Sequence, residues 1–180
     1  MKYLILLSTL SFACFFAAHS QNATTYGNFK VVDQEIIYQK VFAEDSITPS
    51  KLEEFYKGLP YVANVTLTSG GVEFEVNDIT VDYKKFQFKP LDTPSIIQTG
   101  KYSGKVSVTA RDNRYRITFH TLQLTGDIGY KKITERDKLT SYATKNSGTI
   151  LAPDWCRPNM LGLLDKAVTD KLQYVKQEEW

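Results

Sequence analysis

The chain has 180 residues, with 22 Lys and Arg against 20 Asp and Glu and a formal net charge of +2. A dedicated nucleic-acid-binding protein is expected to carry a clustered basic excess, so this balance argues against a nucleic acid as partner. The length suffices for one domain with its own hydrophobic core.

The first 20 residues have the pattern of a secretory signal peptide. Lys2 supplies the positive start, residues 3–18 form a mostly apolar run without an acid, and Ala18 and Ser20 are small residues suited to cleavage after Ser20. The run is short for a membrane span, and no later stretch is long and apolar enough to be one. We therefore expect a secreted or periplasmic protein without a transmembrane segment.

Cysteine usage fits an exported chain that relies on its core for stability. Cleavage would leave Cys156 as the only cysteine, so no internal disulfide is possible. We interpret Cys156 as buried filler rather than as a nucleophile. An acylated Cys14 is the less favoured alternative, because the bulky Phe12 stands two positions before that cysteine.

The chain before residue 101 predicts mainly extended structure. Residues 21–28 are polar and predict a flexible arm. Residues 29–42 are rich in Val, Ile, Phe and Tyr and predict one long strand, with a bulge or burial on both faces. Residues 61–67 predict a short strand, and residues 90–100 a loop.

The segment 72–83 has two interpretations. It forms either a hairpin that turns at Asn77 and Asp78 or one long strand with a bulge. The hairpin would place Glu73 opposite Asp82, and like charges in directly opposite positions are destabilising. The bulged strand is therefore favoured.

One helix is predicted between the first strands. It begins either at Pro49 with Thr48 as its N-cap or at a capping box made by Ser50 and Glu53. Apolar residues then recur at helical spacing and form a stripe that would pack on a sheet: Leu52, Phe55, Tyr56 and Leu59.

The clearest pattern in the chain is a β-hairpin over residues 102–124 that turns on Asp112 and Asn113. In this register one face holds only apolar pairs, and a slip by one residue would mix the two faces. The apolar pairs are Ala110 with Tyr115, Val108 with Ile117, and Val106 with Phe119. The polar pairs are Arg111 with Arg114, Thr109 with Arg116, Ser107 with Thr118, and Lys105 with His120.

The C-terminal part predicts a helix after a poorly patterned segment. Residues 125–156 are predicted as an irregular insertion, with a strand over 130–133 and a short helix over 134–143. Asn159 is expected to cap a last helix from residue 160 to about 176 that covers the sheet. Its apolar stripe consists of Leu161, Leu164, Val168, Leu172 and Val175.

Three segments carry a resemblance to a known family: QEIIYQKVF at 34–42, SKLEEFYKGL at 50–59, and the hairpin tip DNRYR at 112–116. The chain resembles a family of secreted Bacteroidota proteins of unknown function that is described as having a TATA-binding-protein-like (TBP-like) fold. We expect a single α+β domain over 29–180, and the resemblance, which covers about residues 29–124, implies its fold. Its curved antiparallel sheet would follow the order β-α-β-β-β-β-α, with helices on one face. It implies no activity, and the name of the fold implies no DNA binding.

No catalytic or metal motif is found. After residue 20 the chain has one histidine, His120, and one cysteine, and it contains no HExxH, CxxC, GxSxG, P-loop or GxGxxG. We therefore expect no metal, no cofactor and no enzymatic activity. A hydrolase that uses the carboxylates of Glu73, Glu75 and Asp82 is the least favoured hypothesis.

The candidate binding site is the polar face of the hairpin. Lys105, Arg114, Arg116 and His120 could bind an anion or a glycan through charge-assisted hydrogen bonds. The alternative is an ordinary solvated face, on which Arg111 and Arg114 prevent aggregation at the hairpin tip.

Three positions are candidates for glycosylation. Asn22 and Asn64 each begin an N-glycosylation sequon. Ser46 lies between Asp45 and Ile47, an order that resembles the acid-Ser/Thr-aliphatic O-glycosylation site of Bacteroidota.

We expect an exported, non-enzymatic domain that binds an unknown ligand or envelope protein at the cell envelope. The alternative is a carrier that holds an apolar small molecule between the sheet and the C-terminal helix, in a pocket lined by aromatic side chains. The sequence leaves the oligomeric state open.

Overall fold

The structure is a computed structural model that describes residues 23–176. The predicted signal peptide, Cys14 and Asn22 lie outside the described residues. The elements, in chain order, are β1 (Thr25–Tyr26), β2 (Phe29–Val32), β3 (Glu35–Ala43), α1 (Pro49–Lys57), β4 (Val62–Thr68), β5 (Gly71–Thr80), α2 (Ser95–Thr99), β6 (Lys101–Arg111), β7 (Arg114–Ile128), β8 (Lys131–Lys138), α3 (Thr140–Ala143), β9 (Thr144–Lys145), β10 (Ile150–Leu151) and α4 (Leu161–Leu172).

The main sheet is antiparallel, with the order β1-β2-β3-β7-β6-β5-β4, and β8 pairs with the C-terminal half of β7. The long helices α1 and α4 pack on one face of it. The Tyr56 ring of α1 lies 4.4 Å from the Phe74 ring of β5, and the Tyr38 hydroxyl of β3 lies 2.8 Å from the Thr169 hydroxyl of α4. The predicted α+β class with an antiparallel sheet is confirmed.

The predicted central hairpin is confirmed with its register. Val108 pairs with Ile117 and Val106 with Phe119, as the alternation requires. Asp112 and Asn113 have φ values of 51° and 57°, as a type I′ turn requires of its two central residues. The structure adds a bulge between Ser103 and Lys105 that the pattern does not predict.

The prediction of one long strand over 29–42 is wrong. The chain turns at Asp33 and Gln34, whose φ values are 49° and 61°, so β2 and β3 form a second antiparallel hairpin. The sequence hides this turn because neither central residue is glycine, although Asp tolerates the left-handed region better than most residues do.

The predicted arm over 21–28 is also corrected where the structure describes it. Residues 25 and 26 form β1, which pairs with β2. The next residues are tied to α4, because the Asn28 backbone N–H donates to Asp165 Oδ2 at 3.0 Å and Asn28 Nδ2 donates to Oδ1 at 2.8 Å. Asn28 therefore ties this segment to α4 through both its backbone and its side chain.

The structure decides between the alternatives at two places in the first half. Thr48 is the N-cap of α1, because its Oγ1 accepts from the Lys51 N–H at 3.3 Å, and Pro49 is the first helical residue. Strand β5 runs unbroken through Asn77, with a register shift against β6 between Val76 and Ile79. The bulged-strand interpretation is therefore the correct one.

The predictions for the C-terminal part need more correction. The supposed loop over 90–100 contains α2, and the supposed insertion over 125–156 contains the end of β7, then β8, α3, β9 and β10. The predicted helix over 134–143 shrinks to α3, since residues 134–138 belong to β8. Charged edge strands lack the alternation by which strands are predicted.

The last helix is shorter than predicted and has a different cap. Met160 occupies the cap position without a side-chain hydrogen bond, and Asn159 Nδ2 instead donates to the Asp92 carbonyl oxygen at 2.7 Å. The helix ends at Leu172, so Val175 lies beyond it and is 64% exposed. No helix within residues 23–176 is long and apolar enough to cross a membrane.

Candidate functional site

The sheet face opposite α1 and α4 is polar, and we call it the open face. Side chains there are exposed or half-buried, whereas most of their neighbours along each strand are buried on the face that α1 and α4 cover. The open face comprises Gln39 and Val41 of β3, Arg114, Arg116, Thr118 and His120 of β7, Lys105, Ser107 and Thr109 of β6, and Glu73 and Glu75 of β5.

Two arginines lie at the end of the open face near the hairpin tip. Arg114 stands between Ala43 of β3 and Arg111 of β6, and Arg116 stands between Val41 and Thr109. Both arginines are exposed, and within residues 23–176 neither guanidinium has an ion-pair or hydrogen-bond partner. These two side chains can therefore accept a ligand without breaking an existing bond.

The other two predicted site residues lie farther along the same strands. Lys105 pairs with His120, four positions from Arg116, which corresponds to about 14 Å along a strand. Lys105 also stands opposite Glu75 of β5. The structure thus places all four predicted residues on one face but separates them into an arginine pair and a Lys105–His120 pair.

A surface cavity of about 440 Å³ lies at the end of β3, and neither arginine of the pair lines it. It is formed by the end of β3, the turn that follows, the first turn of α1, and the chain after α4. Its lining residues are Ala43, Glu44, Asp45, Ser46, Ile47, Lys51, Tyr174 and Lys176. Sequence reasoning missed this cavity, because its wall at Tyr174 comes from a distant part of the chain.

The two described glycosylation candidates are both exposed. Ser46 has a φ of 60° in the turn that lines the cavity, and its carbonyl oxygen accepts from Lys51 Nζ at 2.9 Å. Asn64 has a φ of 55° at the bulge of β4, and its Nδ2 donates to Glu75 Oε2 at 3.0 Å.

The residues considered for catalysis do not assemble. Glu73 and Glu75 lie on the open face, but Asp82 lies past the end of β5, where its Oδ1 accepts from the Lys85 N–H at 3.1 Å. Burial raises the pKa of the Cys156 thiol, which disfavours the reactive thiolate. The described residues contain no group of three or more His, Cys, Asp or Glu side chains that could hold a metal ion.

The carrier hypothesis requires space between the sheet and α4. Aromatic side chains of that layer instead contact one another and the helix directly. Tyr56 packs on Phe74, and its hydroxyl donates to the Leu172 carbonyl oxygen at 2.7 Å. The Tyr38 hydroxyl is hydrogen-bonded to the Thr169 hydroxyl at 2.8 Å. These aromatics serve as core, so they give the carrier hypothesis no support.

Comparisons with known proteins concern the fold. No family model and no curated protein matches the chain. Among solved structures, it is similar to a DUF4468 family protein from Bacteroides ovatus, with 14% identity and a TM-score of 0.46 over 85% of this chain and 95% of that chain. It is also similar to a TBP-like protein from Parabacteroides distasonis, with 13% identity and a TM-score of 0.45 over 81% of this chain and 97% of that chain.

The resemblance predicted from the sequence fits these two structures. Their descriptions name a domain of unknown function and a TBP-like protein, both from the same bacterial group. Neither description names a ligand, a partner or a reaction, and at these identities the likeness concerns the fold alone.

Proposed function

We propose that this protein is an exported binding domain without catalytic activity, which holds an anionic ligand or partner against its open face at the cell envelope. The observation that carries the proposal is the arginine pair, Arg114 and Arg116, exposed and without partners within residues 23–176. A guanidinium group presents a planar set of donors that matches a carboxylate, sulfate or phosphate group.

The local charge arrangement favours an anion. Arg111 stands directly opposite Arg114, and like charges in such positions are destabilising. Asp112 lies 3.1 Å from Arg111, but both side chains are more than 80% exposed, so this ion pair contributes little. A bound anion would offset the repulsion between Arg111 and Arg114.

The open face also indicates the shape of the ligand. Val41 is 56% exposed beside Arg116 and offers an apolar contact next to the charge. Lys105 and His120 offer a second polar contact about 14 Å away. An extended ligand with more than one polar group fits this spacing better than a single small ion.

Export is part of the proposal and rests on residues 1–20 of the sequence. N-terminal sequencing of the protein isolated from its native cells tests it. We expect the isolated protein to begin at Gln21 and to fractionate outside the cytoplasm. Cytoplasmic protein that retains residue 2 would contradict export.

Native mass spectrometry of the protein purified from its own envelope tests the binding function. We expect wild-type protein to retain an anionic species and R114Q/R116Q protein to lose it, with affinity reduced about 10- to 100-fold for the loss of two charge-assisted contacts. K84Q/K89Q is the matched control, because it removes the same charge from two exposed lysines. Equal retention by both variants would contradict the proposal.

A further inference from the structure

Two loops leave the sheet at the end opposite the tip of the central hairpin. Thr80, the last residue of β5, pairs with Lys101 at the start of β6, and Lys101 pairs with Thr125 near the end of β7. The segment 81–100, which joins β5 to β6, and the turn 129–130, which joins β7 to β8, therefore leave the sheet at the same end. We call these two loops the distal end.

Hydrogen bonds join the two loops to each other. Ser95 Oγ of α2 donates to the Asp127 carbonyl oxygen at 2.9 Å, and the Asp127 N–H donates to Thr99 Oγ1 at 3.0 Å. Leu91 lies four residues before Ser95, and Tyr130 lies three residues after Asp127. The distal end is therefore one structural unit rather than two independent loops.

Each loop of the distal end holds a large apolar side chain fully in solvent. Among the exposed large hydrophobic residues of the described chain, Leu91 and Tyr130 are the most exposed. Leu91 lies in one turn of 3-10 helix, Pro90–Asp92. The side-chain amides of Gln98 and Asn159 donate to carbonyl oxygens of that turn at 2.9 Å and 2.7 Å. The leucine is thus held in water by an ordered turn, where its burial contributes nothing to the stability of the fold.

The apolar side chains have cations beside them. Lys131 and Lys132 directly follow Tyr130 and are exposed, and neither has an ion pair in the part of the chain that the structure describes. Asp92, next to Leu91, and the half-buried Asp127, opposite Lys132, partly offset this charge. The lysines remain free to contact anionic groups.

This combination suits a lipid surface better than a protein surface. A specific protein interface needs a contiguous, closely complementary patch, whereas the distal end offers separate projecting side chains. A bilayer interface is fluid and accepts such projections without a matching shape. Tyrosine is favoured there because its ring is apolar and its hydroxyl stays in water. Lysine extends its ammonium to the headgroups while its aliphatic stem stays at the apolar boundary.

We infer that the distal end docks on a phospholipid surface with anionic headgroups. Leu91 and Tyr130 enter the interface, and Lys131 and Lys132 contact the phosphates. This inference goes beyond the proposed function and uses none of its residues. Arg114 lies eleven residues before Thr125 on β7, which corresponds to about 35 Å along a strand. A protein docked in this way therefore leaves the arginine pair free for its own ligand.

Co-sedimentation with lipid vesicles tests the inference. The probes are vesicles of phosphatidylglycerol with phosphatidylethanolamine, and vesicles of phosphatidylcholine alone. We expect wild-type protein to bind the anionic vesicles more tightly than the neutral ones. L91S/Y130S should weaken binding at least tenfold, because both side chains lose their apolar burial in the interface. K131Q/K132Q should weaken binding to the anionic vesicles about five- to thirtyfold.

Two variants at the other end of the sheet are the matched controls. L67S/V175S removes two exposed apolar side chains there, and K51Q/K176Q removes two exposed lysines at the end of β3. Both should bind vesicles like wild-type protein. Thermal unfolding of every variant establishes that each is folded.

Three results would overturn the inference. The first is wild-type protein that does not bind anionic vesicles at millimolar lipid, even if it binds isolated envelope membranes, which would indicate a protein partner. The second is L91S/Y130S protein that binds vesicles like L67S/V175S protein. The third is loss of vesicle binding in R114Q/R116Q while L91S/Y130S retains it, because the arginine pair would then be the lipid contact and the proposed function would stand alone.

Discussion

Replacing Asp165 with Ala should separate the N-terminal strands from α4. The half-buried carboxylate accepts from the Asn28 backbone N–H at 3.0 Å, and from Asn28 Nδ2 at 2.8 Å to Oδ1 and 2.9 Å to Oδ2. A hydrogen bond to a charged group contributes about 1.5–3 kcal/mol. Two donors that share one partly solvated carboxylate should together contribute about 2–4 kcal/mol to the free energy of unfolding.

The assay is equilibrium unfolding in urea, combined with hydrogen exchange. Exchange of the Val31 amide, which bonds to Thr24, and of the Gln39 amide, which bonds to Asn28, should accelerate in Asp165→Ala. Asp170→Ala is the control, because it removes a carboxylate of the same helix whose ion pair with Lys85 is solvent-exposed. It should lower the free energy of unfolding by less than about 1 kcal/mol.

A double-mutant cycle sharpens the prediction. Gly27 has a φ of 57°, and a Cβ at this position would lie 2.6 Å from Asp165 Oδ2. Gly27→Ala should therefore cost more in the wild-type background than in Asp165→Ala, where only the positive-φ penalty of about 1 kcal/mol remains. The reasoning is refuted if Asp165→Ala costs no more than Asp170→Ala, or if the cycle shows no coupling.

Three further predictions concern the sheet, and urea midpoints check each of them. Asn113→Gly should stabilise the protein by about 0.5 kcal/mol, because glycine adopts the φ of 57° without strain; a loss of stability would contradict the turn assignment. Gly71→Ala should lower the free energy of unfolding by at least about 1–3 kcal/mol, because its Cβ would lie 1.8 Å from the Val108 carbonyl oxygen. Gly70→Ala is the control and should cost little, because nothing lies within 4 Å of its Cβ position. Equal costs for the two variants would show that the contact with Val108 is unimportant. Burial raises the pKa of Tyr115 to about 12, so the unfolded chain releases a proton above pH 10 that the folded protein keeps. Tyr115 should therefore contribute a fall in stability of up to about 1.4 kcal/mol per pH unit between pH 10 and 12, and the other tyrosines whose pKa burial raises add to the total slope. Tyr115→Phe should show a shallower decline, and an unchanged slope would exclude the residue as a cause.

The parts of the fold that could be predicted are those in which local and tertiary signals agree. The hairpin of β6 and β7 has strict alternation on both strands and a turn pair, Asp112 and Asn113, suited to positive φ. The turn at Asp33 and Gln34 has the same geometry, but Gln is not a characteristic turn residue and apolar residues flank it on both sides. A single long strand was therefore the natural but incorrect prediction.

Strand β8 could not be predicted from its own sequence. Of its eight residues, only Ile133 is buried. Its position is determined by backbone pairing to the C-terminal half of β7 rather than by side-chain burial, so hydrophobic alternation carries almost no information about it.

The candidate site was predictable to the same extent as the strands that carry it. The alternation of side chains between the two faces of β7 is enough to place Arg114 and Arg116 on the face opposite the core. The cavity at the end of β3 was not predictable, because it requires the packing of Tyr174 near Ala43. That approach follows the docking of α4 on the sheet, which local sequence does not encode.

The most direct test of the central claim observes the two arginines during binding. In NMR spectra of the protein, the side-chain Nε–Hε resonances of Arg114 and Arg116 should shift when the anionic species retained from the envelope is added. The resonances of Arg136 and Arg157, which are engaged with Asp78 and Asp154, should remain unchanged. Binding that leaves Arg114 and Arg116 unshifted, or that moves all four equally, would contradict the assignment of the open face as the binding surface.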